Sequence, residues 1–169
     1  MIIIVFGLPG SGKSFFASRL AKMIDAEYIN SDKIRKNLFT KRSYSRHEKL
    51  SVYNVMLDKL IEIVKKKKNV VLDATFYKNA IRKRFIKKVQ SKTHIKFIEV
   101  RAATSLIKNR LKNPRKDSEA DFGVYKKIKL SWEPLPDQHL ILHSTNENIA
   151  DMLEKAKDYL NLENDKGTN

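Results

Sequence analysis

The sequence predicts an α/β protein, a parallel sheet of five strands covered by helices on both faces. Apolar, β-branched runs of strand length recur along the chain, helical periodicities separate them, and turn residues mark the boundaries. Strands alternating with helices make βαβ units, whose right-handed crossovers leave few topologies. Ligands of such sheets gather at the carboxyl ends of the strands.

Met1 to Phe6 (MIIIVF) is continuously apolar, as a strand buried on both faces must be. From Lys13 to Met23 apolar residues return at helical spacing, at Phe16, Leu20 and Met23. Glu27 to Asn30 reads as a second strand, with Ser31 or Asp32 capping a helix that runs to Leu38. The longest helical pattern spans Arg46 to about Lys67, with Leu50, Tyr53, Leu57, Leu60, Ile61 and Val64 on one face. The cations Lys65 to Lys68 complement the negative end of its dipole or, on a second reading, contact nucleic acid, and Asn69 can terminate the helix.

Asn69 to Thr75 (NVVLDAT) is the third strand, Lys78 to Val89 a helix, and His94 to Arg101 the fourth strand. A helix from Thr104 to about Lys112 must break before Pro114. A short helix around Val124 to Leu130 and a strand from Leu140 to Leu142 follow. Ser144 and Glu147 have capping-box spacing and open a last helix with Ile149, Met152, Leu153, Ala156, Tyr159 and Leu160 on one side. Residues 161–169 are a polar tail, so 1–160 reads as one domain.

Of 169 residues, 41% are hydrophobic and 9% aromatic, enough for a packed core and against a wholly disordered chain. No apolar run approaches the roughly 20 residues of a membrane span. Met1 to Phe6 has no basic segment before it, so no signal peptide is expected and a cytoplasmic location is. The absence of cysteine excludes a disulfide-linked partner, a thiolate zinc site and a cysteine nucleophile. His47, His94, His139 and His143 show no metal or triad spacing. The net charge is +16, and between Lys33 and Lys116 26 basic residues face 5 acidic ones. A polyanionic partner is one reading of that excess; a lysine-rich compositional bias is the other.

Gly7-Leu-Pro9-Gly10-Ser11-Gly12-Lys13-Ser14 satisfies G-x-x-x-x-G-K-[ST] between a buried strand and a helix. Glycines let consecutive backbone N–H groups turn inward around phosphate oxygens, and the helix adds its positive end. Lys13 can reach the β- and γ-phosphates, the Ser14 hydroxyl can ligate Mg²⁺, and Phe15 follows at the same site. This P-loop implies a three-layer sandwich with strand order 2-3-1-4-5. No Asn-Lys-x-Asp base-reading motif of a GTPase is present, and motor or AAA-type ATPases are usually larger. A short P-loop chain with late basic residues looks like a small phosphotransferase whose lid supplies arginines.

The P-loop, then Asn30-Ser-Asp32-Lys-Ile-Arg35, then Val70-Val-Leu-Asp73-Ala-Thr75, resemble the 5′-hydroxyl polynucleotide kinase family over residues 1–145. Predicted P-loop kinases and, more distantly, zeta-toxin kinases share parts of the pattern. The resemblance implies an ATP- and Mg²⁺-dependent kinase acting on the 5′ end of RNA or DNA. It gives Asp32 the general-base role and Arg35 a phosphate of the acceptor. Asp73 becomes a Walker-B-like carboxylate beside Ser14 and the metal, and Thr75 an acceptor contact. Arg110 and Arg115 belong to a lid over about 110–132, Arg115 on the transferring phosphoryl group and Arg110 on the nucleotide, with their roles open to exchange. Trp132 reads as a lid or core anchor rather than a base-stacking platform. Phe15 stands where these kinases often have Thr, so a hydroxyl contact to the α-phosphate is missing. A kinase for a nucleoside, sugar nucleotide or other small hydroxyl compound is the alternative. A module that holds ATP without turning it over is a third reading.

Overall fold

The computed structural model describes residues 1–89, 95–113 and 120–161. Five strands, β1 (Ile2–Phe6), β2 (Glu27–Asn30), β3 (Val70–Asp73), β4 (Ile95–Arg101) and β5 (Leu140–His143), form one sheet. Every pairing is parallel and the order is β2-β3-β1-β4-β5, as the P-loop implied.

β1 takes the centre because both parities of its side chains are apolar. Ile2, Ile4 and Phe6 enter one hydrophobic layer and Ile3 and Val5 the other, all fully buried. The first layer is closed by α2 (Ser31–Leu38), α3 (Arg46–Lys65) and α4 (Asn79–Val89); α1 (Lys13–Met23) and α7 (Ile149–Leu160) close the second. A smaller cluster joins α5 (Thr104–Arg110) to α6 (Phe122–Leu130): Ile107, Leu111 and Tyr125 pack with Leu8 of the P-loop. Trp132 stacks on Phe6, with ring centroids 6.0 Å apart and planes at 10°, which makes it a core anchor.

Several helix ends depart from expectation. Asn30, not Ser31 or Asp32, caps α2 and accepts from the Lys33 N–H at 2.8 Å. α3 stops at Lys65 and Lys67 takes a left-handed conformation, whereas Asn69, expected to terminate the helix, accepts from the N-terminal ammonium through its side chain. Lys68, expected to serve the helix dipole, pairs with Glu27 at 2.8 Å. The capping box at Ser144 and Glu147 does not form: α7 begins at Ile149 after Asn148, and the Ser144 hydroxyl is engaged elsewhere. α6 starts two residues early because Asp121 accepts from the Val124 N–H at 2.9 Å. His94, Arg115 and the tail 162–169 lie outside the described residues.

Strand register sets the site. Asn30 lies opposite Asp73 and Asp73 opposite Val5, so the carboxyl ends of β2, β3 and β1 stand side by side where β1 runs into Gly7. Beyond β3, the buried Arg82 of α4 donates to the Phe76 carbonyl at 2.9 Å, and Glu133 accepts from the Asn79 N–H at 2.7 Å. These bonds pin the turn that carries Thr75 and Tyr77. Among the described residues no helix is long and apolar enough to cross a membrane.

Candidate active site

The loop from Gly7 to Ser14 fits only as glycine where the motif has glycine. A Cβ on Gly7 would lie 2.3 Å from the Val100 carbonyl oxygen, inside any allowed contact. Gly12 caps α1 at φ +92, a conformation L side chains avoid. No acidic residue stands in the first turn of α1, so its amino end is left to an anion.

A cavity of about 470 Å³ opens beside this loop, lined by Gly12, Lys13, Ser14, Phe15, Arg110 and the segment following β5. Arg110 fixes that segment, donating to the Ser144 hydroxyl at 2.9 Å and the Thr145 carbonyl at 2.8 Å. Ser144 in turn donates to the Ser11 carbonyl at 2.5 Å, which ties the loop after β5 to the P-loop. Burial holds the Arg110 guanidinium below its ordinary pKa. Phe15 is 54% exposed on the cavity wall, with the Arg19 guanidinium 3.4 Å over its ring.

At the end of β3, Asp73 is fully buried. Its Oδ2 accepts from the Tyr28 hydroxyl and the Asn30 amide, both at 2.6 Å, while among the described residues Oδ1 has no hydrogen-bond partner. Burial pushes the Asp73 carboxyl above its ordinary range, against the opposing pull of Lys13, Tyr28, Ser14 and Asn30. Tyr28 is pushed up as well, first by burial and then by the Asp73 charge. An orphaned carboxylate oxygen next to the Ser14 hydroxyl suits a hard cation such as Mg²⁺. Among the described residues no cluster of three or more His, Asp or Glu side chains offers a cage, so such an ion would depend on substrate phosphates too.

On the other side of the P-loop a cavity of about 40 Å³ is lined by Lys13, Asp32, Arg35, Thr75, three tyrosines and the inner face of α6. Asp32, with its side chain 22% exposed, receives Arg35 Nη1 at 2.8 Å. Arg35 Nε lies 2.9 Å from the buried Glu48. Thr75 meets the Tyr53 hydroxyl at 3.4 Å, and that hydroxyl also accepts from the Phe76 N–H at 3.0 Å.

The structure thus brings Lys13, Asp32, Arg35 and Thr75 around one cavity, and Gly10, Gly12, Lys13, Ser14, Phe15 and Arg110 around the other. Pro9 lines the acceptor-side cavity instead of the donor one. Sequence reasoning missed Tyr28 and Asn30, which hold Asp73, and Glu48, which holds Arg35. Asn30 had a signal, since strand order 2-3 places it opposite Asp73. Ser144 was hidden by its capping-box spacing.

A glycine-rich phosphate loop joining the central strand of a 2-3-1-4-5 sheet to its first helix defines a P-loop α/β protein. The chain belongs to the family described as an AAA domain (AAA_33), whose model matches residues 2–135. Small size, which pointed away from AAA-type proteins, does not separate it from a family so described. Solved structures share the fold. A sugar kinase from Janibacter sp. HTCC2649 is 13% identical with a TM-score of 0.73, covering 95% of this chain and 94% of that one. The Mycobacterium tuberculosis APS kinase CysC, in complex with AMPPNP and APS, is 15% identical with a TM-score of 0.70, covering 95% and 96%. A Pnkp1/Rnl/Hen1 complex is 22% identical with a TM-score of 0.58, covering 70% of this chain and 42% of that one. At these identities the likeness is one of fold.

Proposed function

We propose that the protein is an ATP- and Mg²⁺-dependent kinase that moves the γ-phosphoryl group onto a hydroxyl presented at Asp32. The observation that carries this reading is that among the described residues one side chain, Lys13, lines both cavities. A triphosphate held along the loop amides would end next to the carboxylate. There the acceptor oxygen attacks the γ-phosphorus in line, ADP leaves with the bonding electron pair, and Asp32 orients the hydroxyl or takes its proton.

In this reading residues 1–160 act as one kinase domain with a lid over about 110–132. Gly7, Gly10, Ser11, Gly12 and Lys13 cradle the phosphates, and Arg110 walls the nucleotide. Ser14 and Asp73 would hold Mg²⁺, which when bound offsets charge on the phosphate oxygens. Arg115 enters on the family resemblance as the second lid arginine. The fold's kinase neighbours support phosphoryl transfer.

The narrowness of the acceptor cavity, whose lining includes Ala120, Val124 and Ile128, favours a small hydroxyl compound such as a nucleoside or sugar nucleotide. The net charge of +16 favours the second reading, a 5′-hydroxyl end of RNA or DNA. Transfer of labelled γ-phosphate to nucleosides, sugar nucleotides and 5′-hydroxyl RNA and DNA, at low and high salt, tests both. The first reading expects a labelled small product and little response to salt. Oligonucleotide turnover that falls steeply with salt supports the second. ATP binding without any labelled acceptor, indifferent to Asp32→Asn, would sink the kinase reading.

A further inference from the structure

Among the described residues three cations line the cavity at Asp32, and they are not equivalent. Lys13 belongs to the phosphate loop, and its charge already acts on Asp73. Arg35 is taken on two sides, by Asp32 at 2.8 Å and by Glu48 at 2.9 Å, with the Tyr44 ring 4.8 Å from its guanidinium. Glu48 is itself anchored: its Oε2 accepts from the Ser43 N–H at 2.7 Å, the Ser43 hydroxyl at 2.9 Å and the Tyr44 N–H at 3.1 Å. Two carboxylates on one guanidinium leave Arg35 little charge for a ligand.

Lys49, the residue after Glu48, stands differently. It is half-buried, lines the same cavity and meets the Tyr77 ring with its ammonium 5.3 Å from the centroid. Among the described residues no carboxylate pairs with it. An ammonium on the cavity wall with no carboxylate partner can offer its charge to an incoming anion.

We propose that Lys49 is the anion subsite of the acceptor: the hydroxyl compound carries a phosphate of its own, which Lys49 takes while the hydroxyl stands at Asp32. The proposal rests on the kinase reading above and names its substrate class. It places acceptor-phosphate recognition on Lys49, whereas the family resemblance places it on Arg35. The phosphate is either that of a free monophosphate or the phosphodiester of a nucleic-acid end.

The test pairs adenosine with 3′-AMP, and ribose with ribose 5-phosphate, and adds a 5′-hydroxyl oligonucleotide. Wild-type protein is expected to favour the charged member of each pair by at least about tenfold in kcat/KM, on the order of one charge-assisted hydrogen bond. Lys49→Met should collapse that ratio toward one, through acceptor KM rather than kcat, and Lys49→Arg should restore most of it. A preference for 3′-AMP over the oligonucleotide identifies a free monophosphate, and the reverse identifies a phosphodiester. Equal use of charged and neutral acceptors by wild type, or an intact preference in Lys49→Met, overturns the proposal. Melting temperature with a non-hydrolysable ATP analogue plus 3′-AMP separates the two levels of inference. A rise over the analogue alone, lost in Lys49→Met and kept in Lys49→Arg, supports the subsite even where no acceptor is phosphorylated and the kinase reading fails. No rise in wild type overturns the subsite whatever the turnover.

Discussion

The donor and acceptor halves of the site meet at Lys13 and are built in opposite ways. The donor half is built on one run of consecutive residues, its shape set by backbone constraints at Gly7 and Gly12, to which Arg110 and the segment after β5 are joined. The acceptor half gathers side chains from α2, α3, the turn after β3, and α6. Their buried carboxylates differ in the same sense. Asp73 keeps one oxygen without a partner and is pushed up by burial. Glu48 is also shielded from solvent, but bonds from Ser43, Tyr44 and Arg35 outweigh its desolvation and hold the carboxyl below its ordinary range. A half left unsatisfied is completed by its ligand; a half satisfied internally holds one carboxylate, Asp32, in place for a ligand to meet.

If the halves divide the work this way, removing the shared cation should cost most. Lys13→Met is expected to lower phosphoryl transfer about 10³-fold and to weaken ATP binding as well, because it strips charge stabilisation from both ground and transition states. Asp32→Asn should lower kcat about 10²-fold, the scale of a lost general base, with ATP affinity retained. Single-turnover rates with parallel nucleotide titrations check both variants. A large loss of ATP affinity in Asp32→Asn would show that the halves are not separable.

Stability gives a second contrast, with opposite signs. The folded pKa of Asp73 lies above its unfolded value near 3.8, so its stabilising contribution is present below that value and is lost as pH rises through the folded pKa. Asp73→Asn should therefore raise the melting temperature of the nucleotide-free protein at pH 7, by about 1 kcal/mol or a few degrees, with the gain shrinking in acid. For Glu48 the folded pKa lies below the unfolded value near 4.5, so its contribution is present above that value and is lost as pH falls through the folded pKa. Glu48→Gln should lower the melting temperature at pH 7 by an equivalent of about 1–2 kcal/mol, with the loss fading in acid. Thermal melts of both variants across pH decide the matter. Shifts of the same sign would erase the distinction.

The same division explains what could be read from residues alone. The five strands, their order and the phosphate loop were legible because each rests on local apolar runs or on one contiguous motif. Asp73 was legible as a strand-end carboxylate and Asp32 as one just past the second strand, but their surroundings were not. Asn30 and Tyr28 reach Asp73 across more than 40 positions, and Arg110 reaches Ser144 across 34. Such pairings depend on strand register and loop return, which no local pattern encodes. Helix caps failed for a related reason: Ser144 has the right spacing for a capping box, yet its hydroxyl bonds the Ser11 carbonyl from 133 positions away.

The smallest expected effect tests Phe15, which stands where the family resemblance leads one to expect a hydroxyl residue. Phe15 occupies the position of a hydroxyl residue, on the first turn of α1, and its ring lies under Arg19 on the wall of the donor cavity. A threonine there would return a hydroxyl within reach of phosphate at the positive end of the helix, worth about one net hydrogen bond, and would remove an exposed ring. Phe15→Thr is thus expected to lower KM for ATP a few-fold, roughly 0.5–1 kcal/mol, with acceptor KM unaltered. A rise in KM for ATP would reverse the inference. It would mean that the Phe15–Arg19 stack itself grips the nucleotide and that the donor half, like the acceptor half, draws binding from side chains packed against each other.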